Sequence, residues 1–274
     1  MELFSVDESL CNKDGLCAMV CPMAIIRPPS KEAFPGPAPN ADEACIRCGH
    51  CVAVCPTAAF SHRDMPVEGC PPIKKELKIS AEQAEQFIRS RRSVREFTDK
   101  PVTRDEAARL IDIARYAQSG HNSQPVSWLV VLDQEKVKAL AAHVIDWCKS
   151  VMKSHPDFAK TMHMDIMTMA WDFGFDAILR GAPALVAACG EKGSTMAPDA
   201  CVIATTTMEL AAPSLGLGTC WAGYFIAASR LWKPLKEAMQ LPEKHEIFGA
   251  VMLGHPKFKY SRMPARKAPV IHWR

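Results

Sequence analysis

Residues 45–56 read CIRCGHCVAVCP. Cys45, Cys48, Cys51 and Cys55, followed by Pro56, stand at the C-x2-C-x2-C-x3-C-P spacing that holds iron-sulfur clusters. Soft thiolates suit iron in a sulfide environment, and the tight spacing lets three of them grip one cluster face. The fourth ligand must come from elsewhere. An earlier run, CNKDGLCAMVCP at 11–22, keeps Cys11, Cys17, Cys21 and Pro22 in place but has Asp14 where a cysteine would stand. Zinc sites built from four cysteines normally pair two separated C-x2-C knuckles, so zinc is the weaker reading. Disulfides are weaker still.

These residues resemble bacterial dicluster ferredoxins over about positions 1–60. The resemblance implies that the last cysteine of each run serves the other cluster. Cys45, Cys48, Cys51 and Cys21 would then hold a 4Fe-4S cluster, and Cys11, Cys17 and Cys55 the second, with Asp14 facing its open iron. Ferredoxins with Asp at this position hold either a carboxylate-ligated 4Fe-4S cluster or a 3Fe-4S cluster. A hard, exchangeable oxygen grips iron more weakly than a thiolate does. The plain alternative is that Asp14 only starts a turn before Gly15.

The remaining five of the 12 cysteines, Cys70, Cys148, Cys189, Cys201 and Cys220, are scattered and read as small core residues. Across 274 residues, 33 Lys and Arg against 30 Asp and Glu leave a net charge of +3, which argues against nucleic acid or a membrane surface as a partner. The start MELFSVDESL lacks the features of a secretory signal, so a cytoplasmic location is expected. Residues 210–229 carry no charge over a membrane-spanning length. Pro213, Gly216, Gly218 and Gly223 interrupt them, and a buried helix-turn-strand is expected.

Three prolines and no periodicity mark residues 61–79 as a linker between an N-terminal domain at 1–60 and a second domain at 80–274. Ser80 with Gln83, and Thr103 with Glu106, then form two capping boxes that open helices. In the second of these, Ala107, Leu110, Ile111, Ala114 and Ala117 share one face. Strands are expected at 126–132, 184–189 and 247–254, with helices at 134–153 and from Asp199. Alternating helices and strands predict an α/β or α+β layered domain. No internal repeat follows the linker.

Three places in this domain suit a ligand. Arg91, Arg92 and Arg95, beside Ser93, concentrate fork-shaped donors fit for a phosphate, although a solvated surface is the ordinary role of such a cluster. Asn122 and Gln124 offer amide donors and acceptors in the loop SGHNSQP, or merely shape its turn. The glycines of GLGTCWAGYF let backbone approach a flat ligand, or simply pack tightly.

In this order and with these distances, residues 84–274 resemble the nitroreductase family of flavoproteins. The R-R-S helix end, Pro101-Val102, the N-x-Q-P loop, the G-L-G-x-x-W segment from Gly216 to Trp221 and the tail RMPARK at 262–267 carry the resemblance. It implies an α+β fold, a nitroreductase-like sheet flanked by helices, with FMN held between two subunits of a homodimer. Arg91, Arg92, Ser93, Arg95 and Arg262 would hold the FMN phosphate and ribityl chain. Asn122 and Gln124 would meet the ribityl or the ring, and Cys220, Trp221, Ala222 and Gly223 would lie against the ring. Tyr260 stands where some members have Lys, with Lys259 its neighbour.

Met152, Met162, Met164, Met167 and Met169 crowd one segment, read as core or dimer packing or as a pliable lid. His121 more often faces water than donates a proton. The whole reads as an FMN-dependent reductase fed by two iron-sulfur clusters. No protein-borne catalytic residue is needed, because the chemistry belongs to the flavin. The acceptor is a small nitroaromatic, quinone, enone or flavin, and the donor a ferredoxin or NAD(P)H. The competing class is a non-catalytic electron carrier or redox sensor.

Overall fold

A computed structural model describes residues 2–274 and resolves the chain into two units. The first takes the residues up to Lys78 together with His121–Ser123, and the second takes Ile79–Gly120 and Gln124–Arg274.

The first unit runs β1 (Phe4–Val6), α1 (Leu16–Met19), β2 (Ile26–Arg27), β3 (Gly36–Pro37), α2 (Ala41–Ala44), α3 (His50–Val54) and β4 (Phe60–His62). Its strands form two antiparallel pairs, β1 with β4 and β2 with β3. Phe4, opposite His62, stacks on Phe60 with ring centroids 4.6 Å apart. With Ile25, Ile26, Val52 and Cys17, these rings make a small core. So little apolar surface cannot hold a chain of this size firmly, which is why such modules lean on bound metal. Because Phe60 and His62 are buried partners of β1, β4 takes in the start of the stretch that looks like a linker in sequence.

The second unit runs α4 (Ala81–Ser90), α5 (Arg104–Ala114), β5 (Ser127–Val131), α6 (Gln134–Ser154), α7 (Pro156–Thr161), α8 (Met164–Asp172), β6 (Ala184–Glu191), α9 (Ala197–Ala211), β7 (Gly218–Trp221), α10 (Gly223–Leu231), α11 (Lys233–Met239) and β8 (His245–Gly254). Four strands form one antiparallel sheet in the order β5-β6-β8-β7. Strand side chains alternate between faces, and here both faces are covered. Leu185, Ala187 and Cys189 join the core under α6 and α10, while Ala184 and Val186 join that under α5 and α9. This explains why β6 reads as an unbroken apolar run.

Both capping boxes form, with the side chains of Ser80 and Thr103 accepting from the N–H groups of Gln83 and Glu106. Residues 210–229 divide into the end of α9, a 3-10 turn, β7 and most of α10. Among the described residues, no helix is long and apolar enough to cross a membrane. Cys148, Cys189, Cys201 and Cys220 are buried, but Cys70 is exposed and departs from the expected core role. The methionines divide: Met164 is fully buried, Met152 and Met167 pack on the core, and Met162 and Met169 face solvent.

Candidate functional site

The two cysteine runs fold alike. Gly15 and Gly49 both take φ 74°, a left-handed conformation that suits glycine, and each precedes a short helix, α1 or α3. Lys13 and Arg47 before them, and Ala24 and Ala58 after them, are also left-handed, at one constant offset along the chain. Asp14 therefore holds in the first run the place that Cys48 holds in the second.

Two cavities lie within this unit. Cys21, Cys45, Cys48 and Cys51 line one, walled by aliphatic groups such as Ile25 and Ile26. Cys11, Asp14, Cys17 and Cys55 line the other. Each thus receives three residues of one run and the last cysteine of the other. Four soft or anionic groups around a largely apolar cavity fit an iron-sulfur cluster, whose four ligands each meet a different iron. Burial pushes the Cys51 thiol up to about 11 and raises Cys17 as well. Iron must therefore displace protons that these thiols keep at neutral pH.

Asp14 both starts a turn and lines the cavity. Its Oδ1 accepts from the Leu16 N–H at 3.0 Å. Sequence reasoning missed His62, which is 2% exposed and places Nε2 3.5 Å from the Cys45 sulfur. Burial lowers its pKa, favouring the neutral ring.

In the second unit, the helix end RRSVR and the glycine segment come together. Ser93 bridges to Thr219 in parallel, and the Val94 N–H donates to the Thr219 carbonyl at 2.8 Å. Gly218 makes this approach possible, since a Cβ there would lie 2.6 Å from Val94 Cγ2 and 2.9 Å from Pro256 Cγ. That glycine serves packing. Beside it opens a cleft of about 530 Å³ lined by Arg91, Arg92, Glu209, Thr219, Lys259 and Tyr260, among others. Arg92 Nε is buried there without a partner, an orphaned donor of the kind that an anionic ligand satisfies.

Glu209 is the other residue that sequence reasoning missed. Its side chain is 12% exposed, 3.7 Å from Arg91, and accepts from the Thr219 hydroxyl at 3.4 Å. Burial raises its pKa, while Arg91 and Thr219 pull it down. The signal was available in the sequence, because Glu209 is the only charged residue between Asp199 and Arg230. Of the remaining expected residues, Cys220 and Ala222 are buried and Trp221 is 37% exposed. Arg95 and Arg262 are exposed, as is Gly223 at the start of α10. Gln124 is exposed by a separate hollow with Ser119 and Trp128. Asn122 belongs to the first unit, where Nδ2 donates to the Arg47 carbonyl at 2.8 Å. His121, Asn122 and Gln124 all take positive φ, 51°, 51° and 45°, uncommon for residues other than glycine. Within the second unit, the cleft gathers Arg91, Arg92 and the glycine segment but not Arg95, Arg262 or Gln124.

A profile described as the nitroreductase family matches residues 88–255. The chain belongs to the nitroreductase family. Ahead of this nitroreductase domain, a 4Fe-4S dicluster domain profile matches residues 10–60. A Bacillus subtilis protein named FMN reductase (NAD(P)H) is 28% identical over 182 residues, covering 63% of this chain and 66% of the relative. A protein of Hydrogenibacillus schlegelii named 7Fe ferredoxin is 38% identical over 56 residues, 20% of this chain and 65% of its own length. The fold is similar to that of a nitroreductase with bound FMN from Bacteroides fragilis, with TM-score 0.56 and 22% identity, over 69% of this chain and 99% of that one. The chain is a nitroreductase-family oxidoreductase with an N-terminal iron-sulfur domain.

Proposed function

We propose that this oxidoreductase is an FMN-dependent reductase. A ferredoxin domain at residues 1–60 receives single electrons, and a flavin domain at 80–274 delivers them to a small organic acceptor such as a nitroaromatic, quinone, enone or second flavin. The observation that carries this reading is the cleft at Arg91 and Arg92, with a buried guanidinium nitrogen lacking a partner. FMN supplies the redox chemistry when bound, coupling single-electron delivery to reduction of the acceptor.

The chain's own residues bind and orient. Arg91 and Arg92 offer planar forks that match a phosphate. Glu209 faces Arg91 and steadies it. Lys259 and Tyr260 line the same cleft, so the tail contributes there through them.

A homodimer completes the site in this proposal, the partner subunit bringing the amide loop. Two features support it. Helix α4 has no buried residue although Phe87 and Ile88 form an apolar face, and the tail beyond residue 256 is exposed, Trp273 at 87%. The electron donor is a ferredoxin or NAD(P)H, and the setting is a reducing one such as the cytoplasm, where thiolate ligands persist.

The test is anaerobic purification followed by reduction with dithionite. The protein is expected to contain FMN and iron, and a nitroaromatic is expected to reoxidise it rapidly. Reoxidation no faster than that of free FMN would sink the reductase reading in favour of an electron carrier.

A further inference from the structure

The two cysteine runs have matching backbones, and besides Asp14 standing in place of Cys48 their surroundings differ at His62. His62 stands on β4 where the matching residue of the other half, on the same constant offset, is Pro28. Proline brings no side-chain donor, whereas His62 brings an imidazole buried to 2% exposure against Cys45.

The backbone assigns the imidazole tautomer. The Asp64 N–H donates to His62 Nδ1 at 3.1 Å, so Nδ1 carries a lone pair. In the neutral ring the hydrogen is then on Nε2, and Nε2 lies 3.5 Å from the Cys45 sulfur. This nitrogen is a donor to the sulfur and not itself an iron ligand, which would need the lone pair. The geometry is braced from both sides. Arg47, in the same ligand loop, pairs its Nε with Asp64 at 2.7 Å, and Arg63 holds Asp42 through two contacts of 2.7 and 2.8 Å. The Arg47 N–H also approaches the Cys45 sulfur at 3.4 Å. Around the other cavity, the Thr57 hydroxyl meets Cys55 at 3.7 Å, and no side chain among the described residues donates to Cys11.

We propose that His62 is a positioning residue that donates its Nε2–H to the Cys45 thiolate and so raises the reduction potential of the cluster held by Cys21, Cys45, Cys48 and Cys51 relative to its neighbour. The inference rests on the cluster reading above. A reduced cluster carries one more negative charge, so a hydrogen bond to its sulfur stabilises the reduced form more than the oxidised one. His62 thereby adds a second difference between the two clusters, beside that of Asp14 against Cys48.

The experiment is an EPR-monitored redox titration of the iron-loaded full-length protein. Wild type is compared with His62→Asn, whose Oδ1 can replace Nδ1 toward Asp64 but whose side chain is too short for Cys45, and His62→Gln, whose Nε2 can still reach the sulfur. In His62→Asn, the potential of one cluster is expected to fall by about tenfold in the reduced-to-oxidised ratio, about 59 mV for one electron. The other cluster should stay put, and His62→Gln should remain near wild type. A fully iron-loaded His62→Asn protein with both potentials unchanged overturns the proposal, as does an equal shift of both clusters. If His62→Asn loses the cluster outright, His62→Gln decides. A wild-type potential there supports the donor role, and a lowered one overturns it. Wild-type protein lacking two cluster signals would instead refute the cluster reading itself.

Discussion

Asp14 and Cys48 occupy one position in two matching halves, and they differ in what they offer iron. A thiolate is soft and holds firmly, while a carboxylate is hard and exchanges. Asp14 has also committed Oδ1 to the turn at Leu16. The Asp14→Cys variant is therefore expected to gain one iron per chain, with a three-iron EPR signal converting to a four-iron one. Unchanged iron content and spectrum would count against any role for Asp14 at the cluster. Gly218 makes the second prediction at this scale. An Ala there must push Val94 and Pro256 aside, and such overpacking costs about 1–3 kcal/mol. Because Val94 follows the arginine pair, Gly218→Ala should lower both the melting temperature and FMN retention. Loss of neither would show that the close approach is dispensable.

The capping boxes decide where α4 and α5 begin, and they carry a measurable cost. Thr103→Ala removes an acceptor for the Glu106 N–H and should destabilise the second unit by about 1 kcal/mol, read by chemical denaturation. Glu106 in turn accepts from the Thr103 N–H, which holds its pKa below the ordinary 4.5, with His255 and Lys100 helping. The folded state therefore favours the ionised carboxylate. The stability this adds is present above about pH 4.5 and drains away as pH falls through the lowered value. Glu106→Gln should show a shallower loss of stability below pH 4.5 than wild type, and parallel curves would exclude this linkage. These elements were legible because capping is local, spanning Thr103 to Glu106. The sheet was legible as strands but not as an order, since the pairing β5-β6-β8-β7 joins segments far apart in sequence.

For the whole molecule, the exposed apolar face of α4 and the exposed tail make a dimer the expected state. Sedimentation of the full chain should give twice the 30.2 kDa mass, and removal of the residues after 256 should weaken both association and FMN binding. A monomer that binds FMN fully would remove the need for a partner's amide loop. The local pattern alone determined the cluster chemistry, the capped helices and the arginine and glycine segments, because ligand spacing, caps and turns are written within a few residues. Only the tertiary structure decided the rest. It turned lone Glu209 toward Arg91 and buried His62 against a ligand sulfur, although in sequence His62 lies in what reads as a linker. Those contacts depend on strand pairing and packing between distant segments, and no short-range pattern encodes them.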